Sequence, residues 1–150
     1  MHKIPFERIN LQADGYHIIT EVTLFDKTFK LVIDTGASKT VLDKTTLLES
    51  GIAEDTFENT DILSTGLGTN SMESFMLTIP EIRLHDWKIK NFTVAVLDLS
   101  SINFAYNQIG LEPVIGVLGG DILQQYGAII DYKKQTLTLN QRKLSLNNRR

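Results

Sequence analysis

The chain of 150 residues contains no cysteine, which excludes disulfides and thiolate metal sites and leaves the compartment open, since cytosol and periplasm both tolerate that lack. Its three histidines, His2, His17 and His85, are scattered without metal-ligand spacing, so structural or surface roles are expected and no metal. An excess of positive charge is also missing. The net charge of -3 offers no clustered basic face for nucleic acid, and the terminal Asn147-Asn148-Arg149-Arg150 reads as a solvated tail. No window approaches the ~20 apolar residues of a membrane span, and residues 1–8 lack the apolar centre of a signal peptide. The expected chain is soluble, cytoplasmic if complete, and periplasmic or membrane-anchored if a leader was trimmed. Gly66-x-Gly68 has neither a third glycine nor a following helix, so it is not a dinucleotide loop, and no cofactor is implied.

What is present is ordinary in bulk and specific in pattern. Apolar content of 42% with 22% charged residues suits a globular protein, long enough to bury roughly 70% of its unfolded surface. One domain over residues 1–150 is expected, with its core at about residues 15–140. Residues 16–25 place Tyr16, Ile18, Val22 and Leu24 on one face, and residues 28–33 place Phe29, Leu31 and Ile33 likewise, which predicts a hairpin turning at Asp26-Lys27. Asp43 can cap a short helix through Glu49, with Gly51 as its stop. Residues 61–64 and 72–79 are strand candidates. Pro80 marks an edge or a kink, and a second hairpin turns at His85-Asp86, with Trp87 as a packing residue. Residues 99–107 are ambiguous and can hold a helical turn. Residues 113–118 read as a buried strand, Ile122, Leu123 and Tyr126 as the stripe of a helix ending at Gly127, and residues 128–132 and 136–140 as a closing hairpin. Many short strands, glycine-rich turns and few helices predict an all-β fold, a small closed β-barrel with one to three short helices.

Residues 31–42, Leu-Val-Ile-Asp-Thr-Gly-Ala-Ser-Lys-Thr-Val-Leu, stand apart. A buried strand runs into Asp34, Gly36 turns the chain, and Thr40-Val41-Leu42 returns inside. A carboxylate at the mouth of a buried strand costs free energy unless it is hydrogen-bonded or does chemistry. Asp34-Thr35-Gly36 alone is weak evidence. Its context is stronger: a glycine-rich tip at Gly66-Leu67-Gly68 follows, and Val117-Leu118-Gly119-Gly120-Asp121-Ile122-Leu123 comes later still.

That order resembles the retropepsin-like aspartic proteases, the retroviral enzymes and their single-lobed cellular and bacterial relatives, over roughly residues 15–139. The resemblance implies an aspartic endopeptidase with Asp34 as the catalytic carboxylate and Thr35, Gly36, Ala37 and Ser38 as its supporting loop. It also implies Gly66, Leu67 and Gly68 as a flap over bound peptide, and Val117, Leu118 and Gly119 as the segment beneath the loop. Such chemistry uses two carboxylates sharing one proton, and this chain holds one Asp-Thr-Gly. Asp131 is followed by Tyr132-Lys133 and reads as a hairpin end. A homodimer is therefore implied, with terminal segments at residues 4–9 or 137–146 as candidate contacts and a peptide or protein as substrate.

Two departures accompany the resemblance. Ser38 and Gly120 stand where retroviral members often carry an acid and an arginine, so that ion pair is absent as a pair. Ala37 replaces the serine of many two-lobed enzymes, and activity is expected at mildly acidic to neutral pH. A runner-up is a barrel of this type without proteolysis, serving as a peptide-binding or dimerisation module. A phosphate-accepting Asp34 of the haloacid dehalogenase type would need an acid two residues on, where Gly36 stands. Asn91-Phe92-Thr93 fits a glycosylation sequon, a frequent triplet that needs a secretory route.

Overall fold

The computed structural model describes residues 1–11, 15–59 and 74–145. In chain order the strands are β1 (His2–Pro5), β2 (Glu7–Asn10), β3 (Tyr16–Leu24), β4 (Lys27–Ile33) and β5 (Val41–Asp43), followed by α1 (Lys44–Glu49) and a 3-10 turn (Glu54–Thr56). Then come β6 (Glu58–Asn59), β7 (Phe75–Leu84), β8 (Trp87–Leu97), α2 (Ser100–Gln108), β9 (Gly116–Leu118), α3 (Gly120–Gln125), β10 (Ile129–Asp131) and β11 (Thr136–Leu139). Strands β3-β4-β9-β5-β8-β7 lie side by side, and β7 pairs back onto β3 through Thr23↔Arg83 and Leu24↔Ile82. Among the described residues the result is a closed six-stranded barrel with three short helices, where the sequence pattern predicts a small closed barrel with one to three. A separate sheet, ordered β1-β11-β10, joins the two ends of the chain.

The β3–β4 hairpin forms as expected, with Leu24 opposite Lys27. Its turn falls one residue early, on Phe25 and Asp26, both at positive φ, the backbone sense that matches the twist of the flanking strands. The β7–β8 hairpin turns at His85 and Asp86 between Leu84 and Trp87. Pro80 does not interrupt β7. The register is the same on both sides of it, and Asn91 across from it absorbs the irregularity at a φ of 53°. Trp87 is fully buried, stacks edge-on against Tyr126 and donates its indole N–H to the Asn140 carbonyl at 2.8 Å.

Helix α1 has the predicted ends. The buried Asp43 carboxylate accepts from the Thr46 N–H and hydroxyl on one oxygen and from the Leu99 N–H on the other. One carboxylate thus caps α1 and fixes the approach to α2. Gly51, at a φ of 96°, lets the Ile52 N–H reach the Leu47 carbonyl, the left-handed stop that glycine permits.

Two segments depart from expectation. The ambiguous residues 99–107 hold a helix of nine residues, α2, whose inner face sets Tyr106 against Ile19, Val32 and Val114. The strand expected over residues 113–118 is confined to Gly116–Leu118. Its first half is claimed by other partners. Val114 exchanges two hydrogen bonds with the Asn103 side chain of α2, while Ile115 bridges the Lys30 carbonyl and the Asp43 N–H.

Inside the barrel, alternate residues of β3, β4, β7 and β8 converge on one continuous core that includes Val22, Leu24, Leu31, Leu77, Ile79, Val94 and Val96. The same core takes in Ile4, Leu137 and Leu139 of the terminal sheet. Burying such side chains contributes about 1.5–3 kcal/mol each. Strands β1 and β11 are therefore anchored to the barrel, not free arms.

Candidate active site

The candidate site is built where β4 leaves the barrel. Ile33 is buried, and Asp34 follows half-buried, with Thr35, Gly36 and Ser38 exposed beyond it. The Asp34 N–H donates to the Leu118 carbonyl at 3.0 Å, which continues the parallel pairing of β4 with β9. The Asp34 carboxylate accepts the Gly36 N–H at 2.9 Å, and the Ala37 N–H returns to the Asp34 carbonyl at 3.2 Å. The turn therefore points a backbone donor at a carboxylate oxygen, which fixes the orientation of the side chain. Among the described residues, that N–H is its one hydrogen-bond partner.

The loop rests on the segment proposed to support it. Val117 of β9 lies across from Val32 of β4 on one side and Val41 of β5 on the other. Leu118 is fully buried. At Gly119 the loop comes close enough that a Cβ would sit 2.4 Å from the Lys39 carbonyl oxygen and 2.9 Å from that of Ala37. Only glycine fits there. The Gly120 N–H then donates to the Ala37 carbonyl at 2.7 Å and the Asp121 N–H to the Ser38 carbonyl at 3.1 Å. The first turn of α3 thus grips residues 37 and 38 by their backbone.

A second grip was not foreseen from the sequence. Asp121 looks like an acid at a helix start, yet its carboxylate reaches across to Thr40. One oxygen accepts the Thr40 N–H at 2.9 Å and the other its hydroxyl at 2.8 Å. The Thr40 hydroxyl oxygen in turn accepts the Gly119 N–H at 3.1 Å. Thr40 is 3% exposed and Asp121 half-buried, so this closed triangle is partly shielded from water. With Ser38 and Gly120 in place of an ion pair, it is the side-chain tie between the loop and α3. Charge-assisted hydrogen bonds of this kind are the strong ones. Asp121→Ala is expected to destabilise the fold by about 2–4 kcal/mol in denaturant unfolding. Asp121→Asn, which keeps one acceptor, should lose roughly half as much. Equal stability of all three proteins would contradict this role.

On the outer face of the same strands, α2 covers Ile19 and Val32, and the Tyr106 hydroxyl lies 2.6 Å from His17 Nδ1. His17, expected to be structural or on the surface, is half-buried and ties β3 to α2 through this hydrogen bond. Burial pushes the Tyr106 phenol up to about 12. A phenol that resists ionisation in the fold but ionises near 10 when unfolded stabilises the fold fully below pH 10 and progressively less as the pH rises to 12. Stability is expected to fall by about 2 kcal/mol across that window. Tyr106→Phe should flatten the fall; an unchanged alkaline slope in that variant would count against it.

The remaining expected site residues divide plainly. The flap candidates Gly66, Leu67 and Gly68 lie outside the described residues. Asp131 ends β10, and its carboxylate accepts the Lys134 N–H at 3.0 Å, closing a turn. It is a hairpin residue, as the sequence reading has it. Among the described residues, no cluster of three or more histidine or acidic side chains could hold a metal ion. No helix among them is long and apolar enough to cross a membrane.

Comparison with known proteins agrees with this geometry. A family model described as aspartyl protease matches residues 20–122, from the middle of β3 into α3. The crystal structure of a retropepsin-like aspartic protease from Rickettsia conorii superposes with a TM-score of 0.54 at 22% identity, covering 96% of this chain and 97% of that one. The retroviral protease-like domain of Ddi1 from Leishmania major gives 0.57 at 18% identity, covering 87% and 95%. No curated protein matches the chain. The structures share the fold, and the family model spans the Asp34 loop, its support and the Asp121 tie together; the chain belongs to the aspartyl protease family.

Proposed function

We propose that the protein is a homodimeric aspartic endopeptidase in which a water molecule is activated between two Asp34 carboxylates, one from each chain. The observation that carries this reading is the Asp34 loop itself: a half-buried carboxylate at the barrel rim, held by Gly36 and braced from below by Gly119 and Asp121. A single carboxylate held in this way supplies half of a general acid–base pair. Two brought together share a proton, because adjacent like charges do not both ionise cheaply. The ionised partner takes a proton from water as it attacks the scissile carbonyl, while the protonated partner donates to the carbonyl oxygen. No covalent acyl intermediate forms.

The loop's other residues fit this scheme. Thr35 is exposed in the single chain, available to meet its counterpart across a two-fold axis. Gly66, Leu67 and Gly68 would close over an extended peptide, where glycine lets the backbones approach. The substrate is a peptide or protein, and no cofactor is required by this chemistry. Activity is expected at mildly acidic to neutral pH.

The test is incubation of the purified protein with a peptide library across pH, beside Asp34→Asn and with pepstatin as inhibitor. Cleavage by the native protein that the substitution and pepstatin both remove supports the reading. No cleavage at any pH, from a protein that still binds peptide, would replace it with a non-proteolytic binding or dimerisation module.

A further inference from the structure

Strand β3 changes neighbour along its length. Thr23 and Leu24 pair with β7, while residues 16–19 pair with β2. That leaves β2 at the end of the eight-stranded sheet, and among the described residues no strand pairs with its far side. The bonding phase of β2 follows from Leu11, whose N–H donates to the Gly15 carbonyl at 2.7 Å. Bonded and non-bonded pairs alternate along an antiparallel ladder, so Ile9 bonds His17 and Glu7 bonds Ile19. Arg8, between them, directs its N–H and C=O away from β3. Neither a proline nor a bulge interrupts β2 to close that edge.

A cavity of about 180 Å³ lies beside the edge. Ile9, Ile19, Leu111 and Val114 give it apolar walls, together with Tyr106 of α2. An apolar cavity of ~150 Å³ accepts a benzene ring, so this one has room for a leucine or phenylalanine side chain. Its polar lining is Glu7, Lys30 and Glu112. Lys30 is already drawn to Glu7 at 3.5 Å and to Glu21 at 3.6 Å, which leaves Glu112 to meet an incoming cation. Open backbone groups beside a side-chain pocket are the two parts of peptide capture by strand addition: the main chain supplies affinity and the pocket supplies selectivity.

We propose that the open edge of β2 docks an extended peptide segment of a partner protein, with an apolar side chain in this cavity. The pattern of the segment follows from the pleat. The residue opposite Arg8 shares the face of that guanidinium and is matched by an acid. Its two neighbours fall on the cavity face, an apolar one beside Ile9 and a basic one beside Glu7. Antiparallel addition, the more stable sense per residue, makes the order apolar–acidic–basic. A second copy is the poorer fit, since β2 laid on β2 about Arg8 sets guanidinium against guanidinium. Continued one residue past Ile18↔Ile33, the β3–β4 register sets His17 beside Asp34, and Ile9 lies across from His17. The docked segment is therefore three strand spacings, about 14 Å, from the strand that carries Asp34. Docking does not depend on the endopeptidase reading; under that reading, the segment is a part of the substrate remote from the scissile bond.

The probe is a labelled peptide carrying Phe-Glu-Lys between serine and threonine flanks. It is titrated by fluorescence anisotropy into the Asp34→Asn protein, so that no peptide is cut. The expected result is saturable binding that pepstatin does not displace and that weakens about 10-fold when glycine replaces the peptide's phenylalanine. Arg8→Pro removes the open N–H and no bond to β3, and should also weaken binding by about 10-fold. Glu112→Lys, at an exposed position, should weaken it by about 3-fold or more with the circular dichroism retained, and decides the matter if Arg8→Pro does not fold. Absence of binding, binding that these variants leave unchanged, or displacement by pepstatin would overturn the proposal. A dimer that Arg8→Pro dissociates would assign the edge to a second copy and overturn it as well. Cleavage by the native protein is measured separately; docking without cleavage would uphold this surface while the endopeptidase reading fell.

Discussion

Asp34→Asn is expected to lower peptide cleavage by at least ~10³-fold while leaving the fold and its stability nearly unchanged. The expectation follows from what the side chain does in the fold. Among the described residues, its one hydrogen bond is accepted from the Gly36 N–H at 2.9 Å, and the amide oxygen of asparagine can accept the same bond. The shape of the loop is therefore preserved. What disappears is the capacity to carry charge and exchange a proton, which is all that the proposed mechanism asks of the side chain. The checks are kcat/KM on a cleaved peptide and the midpoint of thermal unfolding. Undiminished cleavage by the variant would remove Asp34 from the mechanism, and a large loss of stability would make the experiment a measure of folding, not chemistry.

Gly119→Ala should be nearly as damaging for a different reason. The added methyl would lie 2.4 Å from the Lys39 carbonyl oxygen and 2.5 Å from its carbon, well inside contact distance and against backbone on both sides. The clash is relieved only by moving residues 37–39, which also carry the Ala37 carbonyl bonded to Gly120. Overpacking of this sort costs about 1–3 kcal/mol or more, and a displacement of roughly 1 Å beneath a catalytic group can cost ~10²-fold in rate. The neighbouring glycine is the control. At Gly120 a Cβ would meet the Ala37 oxygen at 3.4 Å, so Gly120→Ala should lose little of either. Denaturant midpoints and kcat measured on the two variants decide the matter; equal behaviour would mean that the close approach at Gly119 is not what holds the loop.

Much of this arrangement was legible in the sequence because it is local. A run of β-branched and aliphatic residues ending in an acid and a glycine states a strand, a charge and a turn within six positions. The β3–β4 and β7–β8 hairpins, the Asp43 cap and the Gly51 stop are likewise decided by near neighbours. The parts that were not legible depend on distance along the chain. Nothing local to Thr40 or Asp121 says that Thr40 donates two hydrogen bonds to a carboxylate 81 positions away; an acid at a helix start has a sufficient explanation where it stands.

The terminal sheet is similar. Strands β1 and β2 are four residues each, too short for a clear alternation, and β1 finds its partner at the other end of the chain. Residues 113–118 look like one strand by composition, but the demands of Asn103, Lys30 and Asp43 shorten it to three residues. Helix α2 is written in mixed residues whose inner face only becomes apolar once Tyr106 is set against β3 and β4.

The central claim is that each chain supplies half of a site, and mixing tests it most directly. Native protein is held at a fixed concentration while the inactive Asp34→Asn chain is added in increasing excess, with subunit exchange allowed to finish before cleavage is measured. If the site is shared, native chains are drawn into mixed pairs with one competent carboxylate, and cleavage falls steadily toward zero as the excess grows. If a single chain carries a complete site, the added chain is a bystander, and cleavage unchanged at every ratio would contradict the account.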